Sequence, residues 1–344
     1  MLTSSPSEAT CLAEANGYVR TSLLRRRLLS IVGQHLIRKL STAPPGQPLR
    51  TRLYRYLVAA IRRIDGADDS TLSYVLEGRA IALPVSHDLP LNVAWNPSYG
   101  SNLTRVVRAV SEKYPSPAAI DIGANVGDSA IRMLAGGASQ ILSIEGDTVF
   151  ARYLEQNTRD IAEVEIECAF VLPHATGVDH LRVSRAAGTA RLCDTGDVVS
   201  SRLITFRDVL ADHSAFRNAR VIKIDTDGFD LPIAIALVEE LGSARPVLFV
   251  EYDPEFYEAG EPVTYLEGLA ELGYERALIW DNRGEYMLSV ALRERDLLRE
   301  LTAYLANGRR KGYFDIALFE HSELDVLDDI RDSERRVFSS RWLP

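Results

Sequence analysis

The carboxylates best placed to do chemistry in this chain stand at the ends of apolar runs. Asp121 closes AAID, Glu145 closes ILSIE, Asp225 closes VIKID and Glu251 closes VLFVE. Asp227 and Asp230 follow Asp225 in the turn TDGFD. Like charges this close repel, so the cluster is costly unless it meets a cation, a donor or a substrate hydroxyl. Lys223 stands where it can neutralise part of it. Carboxylates at the ends of parallel strands have two chemical uses. They accept from the ribose hydroxyls of a nucleoside, or they take the proton of an acceptor hydroxyl. Asp225, Asp227 and Glu251 are the catalytic candidates, with Asp225 first. Capping competes as a structural role for Asp227 and Asp230, and it is the reading adopted for Asp230.

The second constellation is the turn in AAIDIGANVGDSA. Gly123 and Gly127 let backbone N–H groups approach a ligand, and a helix opening near Val126 favours negative charge at its start. Glu145 follows Asp121 by 24 residues, about the separation at which an acid reaches a ribose. A dinucleotide fold prefers G-x-G-x-x-G, but here Asn125 takes the second glycine's place and Asp128 the third's. A side chain and acids around this turn suit a ligand that lacks a diphosphate and carries its own ammonium group. S-adenosylmethionine fits that description better than NAD. The cofactor-binding candidates are Asp121, Gly123, Ala124, Asn125, Gly127, Glu145 and Gly146. Ala169 and Phe170 join them at the strand end where an adenine would lie.

Alternating strands and helices must position these groups. Helices are expected over 148–160, 205–213, 231–241, 262–272 and 292–307, and strands over 164–171, 247–253, 274–280 and 313–320. Residues 313–320 alternate as a last edge hairpin strand. Residues 176–204 suggest a β-excursion with a polar surface and no obvious chemistry. His174 is a lone loop histidine, assigned no role. Residues 72–100 predict strands or a hairpin ahead of a helix from Asn102 to Tyr114, with Tyr99 and Asn102 as minor candidates for substrate contact.

Charge divides the chain. Residues 1–66 hold 11 Lys/Arg against 3 Asp/Glu, and the rest holds 28 against 45. An acidic body is repelled by phosphates, which excludes a general nucleic-acid binder. Periodicity predicts amphipathic helices over 18–40 and 50–64, read either as packing elements or as a contact with an acidic membrane or a partner. The expected organisation is a basic helical extension (1–70), a segment capping the site (71–115), the main domain (116–321) and a C-terminal tail or surface helix (322–344). Cys11, Cys168 and Cys193 form no C-x-x-C pair, and the six histidines show no ligand spacing. No metal site is predicted, although a divalent cation bridging Asp225 and Asp227 stays open. The expected location is cytoplasmic, with the inner membrane face as an alternative.

Taken together, IDIGANVGDSA, SIEGD with Asn157 twelve residues after Glu145, VIKIDTDGFD and VLFVEYD resemble the FkbM family of S-adenosylmethionine-dependent methyltransferases. The resemblance covers residues 116–320. It implies a Rossmann-like class I methyltransferase fold, a seven-stranded, mostly parallel α/β sheet with an antiparallel edge strand. It also implies O-methylation of a hydroxyl on a sugar, glycan or secondary metabolite. Asp121, Gly123, Asn125 and Gly127 match the family's cofactor turn, Glu145 its ribose-binding acid, and Lys223 to Asp230 its K-I-D-x-E-G-x-E stretch. The chain departs from the pattern in having Gly146 for proline and aspartates at 227 and 230 for glutamates. Two other classes remain open: a nicotinamide-dependent Rossmann enzyme, and a methyltransferase-like protein that only binds.

Overall fold

The computed structural model describes residues 71–175, 181–186, 188–193, 196–199, 201–257, 261–307 and 312–342, with scattered single positions between 28 and 60. The helices expected over 18–40 and 50–64 lie largely outside the described residues. The described residues fall into two compact units, one holding 71–75 with 80–95, the other 76–79 with the described residues from 96 to 342.

In the first unit, β1 (Thr71–Leu76) pairs with β2 (Arg79–Pro84). LPLNVAW is helix α1 (Leu89–Trp95), where an extended run was expected. Pro90 sits in its first turn, where a missing N–H costs nothing. The Asp88 carbonyl accepts from Leu91 and Asn92 to start the helix.

The second unit holds α2 (Ser101–Lys113), β3 (Ala118–Ile122), α3 (Asp128–Gly136), β4 (Gln140–Ile144), α4 (Thr148–Thr158) and β5 (Val164–Glu167). After an excursion come α5 (Phe206–Asp212), β11 (Val221–Ile224), α6 (Asp230–Leu241), β12 (Val247–Tyr252) and α7 (Glu261–Glu271). The chain closes with β13 (Tyr274–Asp281), β14 (Tyr286–Ala291), α8 (Arg295–Ala306), β15 (Phe314–Glu320) and α9 (Leu324–Trp342). These strands form one eight-stranded sheet in the order β14-β13-β15-β12-β11-β3-β4-β5. From β12 to β5 every pair is parallel. The strands AAIDI, QILSI, VIKI and VLFVEY are apolar nearly throughout because helices cover both faces. Val106, Val107 and Val110 of α2, Met133 of α3 and Val326, Leu327 and Ile330 of α9 share the core on one face. The other face packs on Val209, Leu231, Leu237, Leu266 and Leu298 from α5 to α8.

The topology is doubly wound and Rossmann-like. The chain runs outward from β3 through β4 to β5, then returns to place β11 on β3's other side, which makes the β3–β11 seam the switch point. Three expectations need correction. β15 is not an edge strand: it lies antiparallel between β12 and β13, and buried Ile316 to Phe319 could not face solvent. The edge belongs to β14, an eighth strand hidden behind the turn Asp281-Asn282-Arg283-Gly284, where Asp281 Oδ1 accepts from the N–H groups of Arg283 and Glu285. The single strand expected over 164–171 is two. Its polar half, VEIE, stays on the sheet edge as β5. Its apolar half, β6 (Ala169–Leu172), leaves to pair in parallel with β10 (Arg202–Thr205). Between them β7 (Arg182–Ala186), β8 (Thr189–Cys193) and β9 (Asp197–Val198) make a small antiparallel sheet in the order β8-β7-β9.

Candidate active site at the switch point

The turn after β3 is docked on β4, with the N–H groups of Gly123 and Ala124 both donating to the Ile144 carbonyl. Gly123 has φ +79°, and a Cβ there would fall 1.8 Å from the Asp225 carbonyl oxygen at the end of β11. The two strand ends meet so closely that only glycine fits. Asn125 also has positive φ, +50°, as does Asp227 at +53°, a region that Asn and Asp tolerate better than most side chains.

Asp121 is fully buried behind this turn. Its Oδ2 accepts from Ser129 Oγ at 2.5 Å, and its Oδ1 lies 3.2 Å from Lys223 Nζ. Burial raises the Asp121 carboxyl above the usual range against the pull of Lys223 and Ser129. Lys223 Nζ also donates to the Gly123 carbonyl at 3.0 Å and stands 3.3 Å from Asp225 Oδ2. Burial would weaken the Lys223 proton, but Asp121 and Asp225 hold its pKa above the ordinary value.

Glu145 lies 6% exposed at the end of β4. Its Oε2 accepts from the Asn125 N–H at 2.7 Å and its Oε1 from the Asp147 N–H at 2.6 Å. Burial pushes it up to about 7 despite these two bonds. It thus holds the turn and keeps further lone pairs for a ligand. Gly146 follows, and Phe170 lies flat against it: a Cβ at Gly146 would meet the ring at 2.2 Å. Asn157, twelve residues after Glu145, ties α4 to the same loop by donating to the Val126 carbonyl at 2.8 Å.

The acids form a row across neighbouring strand ends. Ile224 pairs with Val250, which sets Asp225 beside Glu251, and Glu251 in turn pairs with Asp315 of β15. Burial would raise the Asp225 carboxyl, but Lys223 and a hydrogen bond with Glu251 hold it below the usual range. Burial and the Asp225 charge push Glu251 well above its ordinary value. Asp315 accepts from Asn102 Nδ2 at 2.7 Å and is raised to about 7, chiefly by burial. Asp227 is also raised to about 7, by burial and then by the Asp225 charge, with Arg191 opposing. Asp230 is the brace of the turn, accepting from the Thr226 N–H at 2.7 Å and the Gly228 N–H at 3.1 Å. It stands inside the first turn of α6 and does not cap it with its side chain; Phe229 holds the N-cap position.

One cavity touches most of these groups. Gly123, Asn125, Glu145, Gly146, Ala169 and Phe170 line it together with Asp225, Thr226 and Asp227. The hydroxyl of Thr226 is buried there with no hydrogen-bond partner among the described residues. Asp121, Ala124, Gly127 and Glu251 do not line the cavity; the first three belong to the turn's own strand end, and Glu251 stands beside Asp225. Tyr99 lies on that side, hydrogen-bonded to Tyr313, whose hydroxyl is raised by burial and by Tyr99, Glu251 and Asp315. His174 lines a separate groove of about 660 Å³ with Arg207, Glu239 and Glu240, away from the acid row.

The excursion is the main departure from expectation. Its strand β8 keeps Thr189 and Arg191 exposed, yet Thr189, Ala190 and Leu192 also line the cavity. Asn125 Nδ2 donates to the Gly188 carbonyl at 2.8 Å, and Arg185 Nε donates to buried Asp147 at 2.5 Å. Nothing in the local sequence of 182–193 announces this, since the contacts cross more than 35 residues.

No protein-family model matches the chain, and no curated protein matches it. Solved structures with partial likeness include M. jannaschii TYW2 in complex with AdoMet, at 12% identity and TM-score 0.38, over 74% of this chain and 88% of that one. Precorrin-6y C5,15-methyltransferase from Geobacter metallireducens has 12% identity and TM-score 0.35, over 63% and 87%. The assignment of a Rossmann-like, doubly wound fold rests on the strand order and the switch point of this chain itself.

Proposed function

We propose that this chain is an S-adenosylmethionine-dependent O-methyltransferase of FkbM type, acting on a hydroxyl of a sugar, glycan or secondary metabolite. The observation that carries this reading is the meeting of two groups at one switch point. The glycine turn with Glu145 and the acids Asp225 and Asp227 line one and the same cavity. The residues fit the cofactor by chemistry. Ala169 and Phe170 offer an apolar wall for a planar base, Glu145 keeps lone pairs for ribose hydroxyls, and acids near the turn suit an ammonium group. The Asn125 side chain occupies the place where a diphosphate would need a glycine, which disfavours NAD.

When bound, the cofactor supplies a methyl group activated by a sulfonium. The chain's own task is alignment and proton management. Orientation of donor and acceptor is worth roughly 7–11 kcal/mol. Asp227 takes the acceptor's proton: it lines the cavity, and a carboxyl near 7 suits a general base at neutral pH. Asp225, held ionised by Lys223, is the weaker base and serves to keep Asp227 raised. Glu251, raised by burial and by the Asp225 charge, stands beside Asp225 on the next strand and does not line the cavity.

The deciding experiment is mass spectrometry of products after incubation with methyl-labelled S-adenosylmethionine and a panel of sugar, glycan and metabolite acceptors. Label on an acceptor oxygen supports the reading. Cofactor binding with no labelled product across the panel favours a binding protein, and preferential binding of NADH favours the nicotinamide class.

A further inference from the structure

We infer that the β7–β8 hairpin is a strap across the nucleoside site that must swing away before the cofactor enters; this rests on the nucleoside reading above. The cavity enclosed beneath β8 is about 80 Å³. Sites for ligands of this size need roughly 300–1,000 Å³. The walls outside the central sheet are β8 and β6, and β6 is paired along its length with β10 and packed into the main core, which leaves β8 as the wall that can move as a unit.

The way the hairpin is held makes it separable. The ladder bonds of β8 all go to β7, and β8 is the outer strand of its small sheet. Among the described residues, its hold on the site runs through side chains and the Gly188 carbonyl. The Gly188 carbonyl accepts from Asn125, the Thr189 hydroxyl bonds Asp227, and Arg185 bridges Asp147 and Asp197 at 2.5 and 2.8 Å. Beneath these, Val183 and Leu192 pack on Phe170, Leu172, Leu203 and Phe229. Few contacts of this kind must break for the unit to open, which places it at the low end of local stability. The anchors also fall on residues the ligand would use. Asn125 belongs to the cofactor turn and Asp227 is the proposed base, so strap and ligand compete for the same partners.

Stopped-flow binding of S-adenosylhomocysteine to the full chain tests this. In the wild type, the observed rate should level off at high ligand, at the opening rate of the strap. Arg185→Ala, which touches neither turn nor acid row, should raise that plateau about fivefold. A rate that climbs linearly with ligand and is unchanged by Arg185→Ala overturns the strap while leaving the nucleoside site standing. Failure of both proteins to bind the ligand at all takes the nucleoside reading down and the strap with it. Should Arg185→Ala not fold, the wild-type rate curve alone decides.

Discussion

Lys223 Nζ stands 3.2 Å from Asp121 Oδ1, joining two strands that the chain reaches about a hundred residues apart and that flank the reversal of winding. The same ammonium touches the Gly123 carbonyl and Asp225, so one side chain fastens the cofactor turn to the acid row. Turn geometry and acid charge are therefore set together.

Replacing Lys223 with methionine should destabilise the protein by about 3–5 kcal/mol, because it leaves buried carboxylates without their cation. Protonation relieves such a loss, so the deficit should shrink as pH falls. Urea denaturation of both proteins at pH 5 and pH 8 checks this, and an equal deficit at the two values would count against the ion-pair account.

Gly123→Ala and Gly146→Ala should differ in kind. At Gly123 the new Cβ meets backbone, the Asp225 carbonyl, in a conformation with positive φ; the cost should be about 2–4 kcal/mol, with loss of cofactor binding. At Gly146 the Cβ meets the Phe170 ring, a side chain that can turn aside. That variant should keep most of its stability and lose cofactor affinity as the cavity wall is reshaped. Thermal melts with and without S-adenosylhomocysteine separate the two.

The parallel half of the fold was legible because its strands are buried on both faces and read as unbroken apolar runs ending in acids. The meeting of the glycine turn after β3 with the acids at 225, 227 and 251 was legible for the same reason, since strand ends in a doubly wound sheet converge. What stayed hidden depends on partners far along the chain. β15 alternates like an edge strand, yet β13 and β12 enclose it. Asp315 joins the acid row only through its pairing with Glu251, and Ser129 matters only because Asp121 turns toward it. The β7–β8 hairpin reads as polar surface because its contacts with Asn125 and Asp147 carry no local signature.

Stability should fall as pH rises through neutrality, the reverse of a protein whose acids are ion-paired. Glu145, Asp227, Asp230 and Asp315 are raised to about 7, each chiefly by burial. An acid raised in the folded state binds its proton more tightly there than in the unfolded chain, whose carboxyls titrate near 4. Between about pH 4 and 7 the folded state therefore holds more protons, and stability declines across that window. Asp208, Asp225 and Asp325 are lowered, and their opposite contribution falls below the unfolded carboxyl range, outside that window. Melting temperatures should drop from pH 5 to pH 8, and Asp315→Asn should flatten the decline while keeping an acceptor for Asn102.

Asp227→Asn should cut turnover by about 10²–10⁴-fold, the usual worth of a general base, with cofactor affinity little changed. The wild-type rate should rise with pH up to about 7 and then level, because only ionised Asp227 accepts the acceptor's proton. In the asparagine variant that acidic limb should vanish from the residual activity. Asp225→Asn should act differently. Removing its charge takes away the main electrostatic push on Asp227, so the limb should persist but shift to lower pH. Loss of the limb in Asp225→Asn with its retention in Asp227→Asn would reverse the two roles. The pH profile of each variant thus distinguishes the base from the charge that tunes it, which a drop in rate alone cannot do.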